Sequence, residues 1–509
     1  MKKILKNSII GITLIITSCN KELNQIPISS ATTATFYSSP NDFIQGVNAV
    51  YNDLRNYPNR LLDLSEIRSD NIYGVSSQGI REWDPVNGFQ KSSGANVYVE
   101  EAWATDFNGI YRANVVLEQI EKNGDKIGSP SLQTRLAAET RFLRAFYYFD
   151  LVRYYGKLPV ITTPITPAKA TTVGRSPVAD VYNLIIGDLQ YAAAKLPTQY
   201  TGADVGRATK YAAEAALALV YMTRSAPTYG VEGPGMATNE WAQALPLLQD
   251  VINSGLFFMN TDYANIFSYS NQSPTPSGNR EAVFDIMYAS GQTPSLGASF
   301  CWTLAPRDYF FSIKDINQNG SLEIIPVSDD FLNSYETGDL RKAVTVYTAG
   351  YTFSGSTEKR PFFKKYLDVT KIPTNSNSDW AINFIAIRYT DILLLKAECV
   401  LRGASGSPGA DVDAVVNAVR TRAGLSPLTN VTLTQLFNER RREFAAEGSR
   451  WFDLQRSGNL LTIMNAWIAN EDAKKLKQIN PVIPAYVVYP VPQSQLDALP
   501  GLYTQNAGY

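Results

Sequence analysis

Three stretches of this chain share one texture: "RFLRAFYYFDLVRYYG" (141–156), "KYAAEAALALVYMTRS" (210–225) and "DILLLKAECVLRG" (391–403). Each sets small alanines among large aliphatic or aromatic residues at helical spacing. Small side chains let two helix axes approach, and large ones fill the grooves so formed. Such a mixture constrains the chain to closely paired helices. Within the first stretch, Leu136, Leu143, Tyr147 and Tyr154 are placed on one face.

Further helical runs bracket these. One begins at Ser39-Pro40 and another at Glu100. "SPVADVYNLIIGDLQYAAAKLP" opens on Ser-Pro and closes on Leu-Pro, and more begin near Glu240, Asp411 and Thr432. Repeated helix pairs of this kind build tetratricopeptide-like arrays, although plain antiparallel packing has the same local signature. Between Gly255 and Asn383 the texture changes: "SNQSPTPSGNR" reads as loop, "EAVFDIMYA" and "FIAIRY" as short strands. Residues 65–99 form another loop-rich stretch. The expected organisation is a leader at 1–18, a helical scaffold over 19–255, a loop-rich and partly β insertion over 256–385, and a helical end over 386–509. The fold class is mainly α, with the insertion forming the ligand face.

The chain contains no histidine. That removes Ser-His-Asp and Cys-His nucleophiles and every His-ligated zinc site. Enzymes that work with paired carboxylates, glycoside hydrolases among them, pass this filter. A net charge of -1 leaves no electrostatic footprint for nucleic acid. The N-terminus "MKKILKNSIIGITLIITSCNKE" has a lysine-rich start, an apolar run too short to span a bilayer, and small residues before Cys19. This resembles a bacterial lipoprotein signal, with Cys19 as the lipidated residue and the body anchored to a membrane, and an ordinary secretory signal with a chance cysteine is the other reading. Cys301 and Cys399 are too few for a disulfide framework, and Cys399 reads as a small buried hydrophobe.

The segment "NERRREFAAEGSRWFDLQR" (438–456) poses a choice between a basic surface patch and an ion-paired core. Thr432 and Gln435 form a capping-box pattern ahead of it. At 100° per residue Arg440 falls on the stripe of Leu433, Leu436, Phe437 and Phe444, while Arg441 and Arg442 turn away successively. Arg440 is therefore expected to be buried and ion-paired, with Glu443 and Glu447 available to neutralise it.

"ERRREFAAEGSRWFDLQR", "VNAVRTRAGL", "IRYTDILLLKAEC", "RFLRAFYYFDLVRYYGKLPV", "GRATKYAAEAALALVYM", "ISSATTATFYSSPNDFIQGVNAVY" and the terminal "YPVPQSQLDALPGLYTQNAGY" together resemble the SusD/RagB family. The resemblance covers nearly the whole chain after the leader. It departs at Ser449, where relatives often carry histidine, and thins over 256–385, where only "YETGDLR" matches. It implies an outer-membrane lipoprotein of Bacteroidota, displayed at the cell surface, that captures a nutrient for a SusC-like TonB-dependent transporter. It also implies a tetratricopeptide-like scaffold, an oligo- or polysaccharide ligand or, in some relatives, a peptide, and no catalytic role or required cofactor.

A sugar-binding face needs flat aromatics for ring faces and amide, carboxylate or guanidinium groups for hydroxyls. The two loop-rich blocks contain both: Asp70, Asn71, Tyr73, Arg81 and Trp83 in one, Trp302, Arg307, Asp308 and Tyr309 in the other. Trp83 and Trp302 are the expected stacking platform, whereas Trp103, Trp241 and Trp451 lie in helical patterns and read as core. "DINQNGSLE" places Asp315, Asn317, Asn319, Ser321 and Glu323 at alternate positions, like the start of a calcium loop. Pro326 stands where the bidentate glutamate belongs, so a turn at Asn319-Gly320 is the other reading. A surface glycoside hydrolase and a protein-binding scaffold without a small ligand are the rival functions.

Overall fold

Caps set the helix starts. Helix α1 (Pro40–Asp53) carries proline at its first position, and Asp42 accepts from the Ser39 N–H at 2.8 Å. Asn96 caps α2 (Val97–Asn123), Ser129 caps α3 (Pro130–Tyr155), and α4 (Val178–Lys195) starts directly after Pro177. Thr209 caps α5 (Lys210–Arg224), and α6 (Trp241–Asn253) follows. The computed structural model describes residues 36–509 except 75–78, 80, 273–278, 316, 476, 478 and 499. Cys19 and the leader lie outside them.

Each of these helices packs on the next, and α6 then packs on α7 (Tyr389–Leu401), although residues 254–388 separate the two in sequence. Helices α8 (Ala414–Arg422), α9 (Leu433–Glu443), α10 (Arg450–Ser457) and α11 (Leu460–Lys475) complete the scaffold. The molecule is mainly α, a tetratricopeptide-like series of helix pairs. The small-with-large texture acts where expected: a methyl group at Gly109 of α2 would sit 2.5 Å from the Tyr147 ring of α3. Cys399 packs with Met222, Leu248 and Leu395 between α5, α6 and α7. Leu136, Leu143, Tyr147 and Tyr154 are all buried, and from Phe142 to Tyr155 helix α3 is buried on every side, enclosed by α1, α2, α4 and α5.

The insertion closes at its base. Strands β1 (Ala282–Ile286) and β6 (Phe384–Arg388) pair antiparallel, Ala282 opposite Arg388 and Ile286 opposite Phe384. The segment between them therefore leaves and re-enters the scaffold at one place. Inside it β2 (Val346–Tyr347) pairs with β5 (Phe362–Phe363), and β3 (Tyr351–Phe353) with β4 (Ser356–Glu358). The β3–β4 turn uses Ser354 and Gly355, both at positive φ, as a two-residue hairpin turn requires.

Arginines bolt this insertion to the scaffold. Arg440 is buried, held by Asp453 at 2.9 Å and Asp391 at 2.7 Å. Its partners are thus not Glu443 and Glu447. Glu443 instead takes Arg422 of α8 at 2.6 Å, Arg388 of β6 at 2.8 Å and Arg341 of the insertion at 3.2 Å. Burial pushes the Glu443 carboxyl up, but the three guanidiniums outweigh it and hold it at about 2. Glu447 bridges Lys365 and Arg388 at 2.8 and 3.1 Å. Arg441 and Arg442 are buried as well, so the arginine run is core and not a surface patch. Such networks contribute little net energy against an apolar equivalent, but losing one partner strands a charge. The Thr432–Gln435 capping box that starts α9 forms as read, at 2.9 and 3.3 Å.

Candidate functional site

The two loop-rich blocks meet. Ile72 bridges Val327, the Tyr73 N–H donates to the Pro326 carbonyl at 3.0 Å, the Ser328 N–H donates to the Asn71 carbonyl at 2.9 Å, and Arg81 pairs with Glu323 at 3.1 Å. Five of the expected ligand residues, Asp70, Asn71, Tyr73, Trp83 and Tyr309, are buried. Asp70 lies beneath Arg450 and Arg441, at 2.8 and 3.2 Å. Burial pushes its carboxyl up, and the two guanidiniums bring it down to about 2. Asn71 donates to Glu66 at 2.9 Å and accepts from Arg441 at 2.8 Å. Tyr73 is buried against Trp467 and bonded to Asp472. Trp83 is 3% exposed, with the Lys477 ammonium 5.4 Å from its ring. As a stacking platform Trp83 and Tyr73 are therefore corrected to scaffold, because α9 to α11 and the segment after them fold over that block.

The expected residues of the insertion stay nearer its surface. Trp302 is half-buried, its indole N–H donating to the Asn377 carbonyl at 2.7 Å. The Arg307 guanidinium lies 5.5 Å from the Phe311 ring. Tyr309 is 8% exposed and packs on Tyr347 and Phe362, with centroids 4.9 and 5.1 Å away. It supports the face and does not form it.

The calcium expectation is corrected too. Asp315 accepts from its own turn, from the Asn317 N–H at 3.1 Å and the Asn319 side-chain amide at 2.9 Å. Asn317 donates to the Pro373 carbonyl, Asn319 accepts from the Trp380 indole, Ser321 donates to the Glu323 carbonyl, and Glu323 pairs with Arg81. These oxygens face different partners and no common centre, so the residues do not fit a calcium ion. The stretch is instead a tight turn. Gly320 has φ +91°, and a side chain there would meet the backbone of Pro306 and Arg307.

A cleft of about 150 Å³ opens beside this turn, lined by Asp308, Leu322, Glu323, Tyr351, Glu358 and Arg360 among others. Burial pushes the Glu358 carboxyl up, but Arg360, bonded at 2.6 and 3.0 Å, brings it below the usual range. Burial, with Glu358 and Asp308 nearby, raises the Tyr351 phenol. The cleft is smaller than the pockets that swallow a drug-sized ligand. It offers carboxylate acceptors, guanidinium donors and an aromatic ring to part of a larger one. Sequence reasoning missed Tyr351, Glu358 and Arg360. The alternating "YTFSGSTE" around a Ser-Gly turn was the available signal for their hairpin.

The family model described as "SusD family" matches residues 333–509. A second, "Starch-binding associating with outer membrane", matches 27–222. The chain belongs to the SusD/RagB family. Residues 223–332, which hold much of the loop-rich face, fall between the two matches. The chain is 25% identical to SusD-like protein P25 of Formosa agariphila over 99% of its own length and 98% of that protein. It is 29% identical to a SusD-like protein of Bacteroides ovatus, over 69% and 64%. Among solved structures it resembles a "Laminarin binding SusD-like protein" with a TM-score of 0.72 at 26% identity, covering 93% of this chain and all of that one. It also has the fold of surface glycan-binding protein A from Bacteroides fluxus, with a TM-score of 0.77 at 22% identity, over 93% and 100% of the two chains.

Proposed function

We propose that this SusD/RagB-family protein is a surface lipoprotein that binds an oligo- or polysaccharide and hands it to a SusC-like TonB-dependent transporter. The observation that carries the reading is the cleft at Asp308, Tyr351, Glu358 and Arg360. Ionised acceptors, fixed donors and an aromatic ring at an open surface suit one segment of a sugar chain. Relatives point the same way, one titled as laminarin binding and a fold neighbour titled as a complex with laminarihexaose. A carboxylate held low by Arg360 accepts hydrogen bonds and is a poor general acid, so the cleft favours binding over hydrolysis. Among the described residues no helix is long and apolar enough to cross a membrane. A lipid on Cys19 would supply the anchor.

Affinity electrophoresis on a panel of glycans, laminarin included, tests this. Tyr351→Ala should weaken binding of the recognised glycan about tenfold or more, roughly 1.4 kcal/mol, with folding intact. Unchanged mobility would move the site elsewhere. Peptide binding in place of glycan binding would turn the reading to peptide import, and glycan cleavage would turn it to an enzyme.

A further inference from the structure

A second hollow, of about 390 Å³, opens between α1, the turn at 203–207 and the end of β1. It shares no lining residue with the cleft, and its volume falls in the range of small-molecule sites. Asn48, Tyr51, Asn52 and Arg55 form one wall, and Asp285, Met287 and Tyr288 form another. Hydrogen bonds fix both. The Tyr288 hydroxyl donates to the Arg55 carbonyl at 2.6 Å, and Arg55 Nη1 donates to the Ser295 carbonyl at 3.1 Å. The Tyr51 hydroxyl accepts from the Ala208 N–H at 2.9 Å, and Arg207 donates to the Asn48 amide oxygen at 2.8 Å. The shape is therefore preformed.

Two atoms of the lining residues point to a ligand. Asp285 Oδ1 and Arg55 Nε are shielded from solvent, and neither has a hydrogen-bond partner among the described residues. Buried polar atoms are costly to leave unpaired. Burial pushes the Asp285 carboxyl up to about 8, against a hydrogen bond with Asn383. At neutral pH it keeps its proton and both donates and accepts. The Arg207 charge is already met by Glu139 at 2.9 Å and Asp204 at 2.7 Å. With Leu54, Ile286 and Leu296 also in the lining, the hollow favours a ligand that is partly apolar and rich in hydroxyls.

We propose that this hollow is a second ligand site that takes one sugar unit against Tyr51 and Tyr288, with Asn52, Arg55 and Asp285 hydrogen-bonding its hydroxyls. The choice of a sugar rests on the glycan reading above, whereas the hollow does not. The test is calorimetric titration of the purified full chain in detergent with a panel of hexasaccharides, laminarihexaose among them, and with the tripeptide Phe-Gly-Gly. Asn52 is exposed on α1, so Asn52→Trp fills the mouth of the hollow without entering the core. Two binding events are expected. Asn52→Trp should weaken one at least tenfold and leave the other, and Tyr351→Ala should do the reverse. If Asn52→Trp changes nothing while Tyr351→Ala removes all binding, the second site is overturned and the cleft stands. If Asn52→Trp alone removes binding, the second site stands and the cleft reading falls. No binding of any hexasaccharide, or binding that neither variant alters, overturns both. Tripeptide binding that Asn52→Trp abolishes, with sugars indifferent to it, overturns the sugar class.

Discussion

The arginines and carboxylates around α9 show how much one residue decides. Arg440 has two carboxylate partners and almost no access to water. Arg440→Ala takes Asp391's guanidinium partner away and leaves Asp453 with Arg456 alone, and should cost about 3–5 kcal/mol in chemical denaturation. A loss under about 1 kcal/mol would mean the site relaxes to admit water. Asp70 and Glu443 make a second prediction, about acid. Each has a folded-state value of about 2, below its unfolded one. Their stabilisation is complete above the unfolded carboxylate range and is lost as pH falls towards 2, about 2–3 kcal/mol for each. Urea midpoints should therefore fall steeply between pH 5 and pH 2, and Glu443→Gln should flatten that slope. That Arg440 is buried and paired was legible from its place on an apolar stripe. Its partners were not, because Asp391 and Asp453 come from neighbouring helices and no local spacing identifies them.

At the scale of elements, helix boundaries follow caps and prolines that sequence shows directly. The contact between α2 and α3 depends on Gly109, where any side chain would meet the Tyr147 ring. Gly109→Ala, normally favourable within a helix, should instead destabilise by about 1–3 kcal/mol through overpacking. Unchanged or raised stability on chemical denaturation would show that the two helices can separate freely. Strands β1 and β6 were readable as apolar, aromatic runs. Their pairing across nearly a hundred residues was not, since register depends on where the intervening chain returns. The β3–β4 hairpin went unread because its strands are short and half-exposed, so their alternation is faint. It supplies Tyr351 and Glu358 to the cleft.

For the whole molecule, the proposed role needs an anchor and an outward face. The proposed anchor is a lipid on Cys19. Cys19→Ala should shift the protein from the membrane fraction to the soluble one, because the acyl chains would supply the membrane affinity. A variant that still sediments with membranes and incorporates labelled fatty acid would refute lipidation at this residue. The described body has no spanning helix. It leaves two separate hollows at its surface, one inside the insertion and one where the insertion joins α1. A polymer that engaged both would gain affinity from linkage alone.

By itself the sequence determined the helical series, the family and the burial of Arg440. Periodicity, caps and residue order along the chain are local quantities, and they survive without coordinates. Only the tertiary structure decided which polar and aromatic side chains face solvent. Trp83, Tyr73, Asp70 and Asn71 have the composition of a sugar site but lie under α9 to α11, whereas Tyr351, Glu358 and Arg360 reach the surface on a hairpin. The calcium-like spacing failed for the same reason: Asn319 accepts from Trp380, Glu323 pairs with Arg81 and the Asn317 amide donates to Pro373, all from elsewhere in the chain. Exposure depends on what folds over a residue, and in this protein the covering segments lie hundreds of positions away.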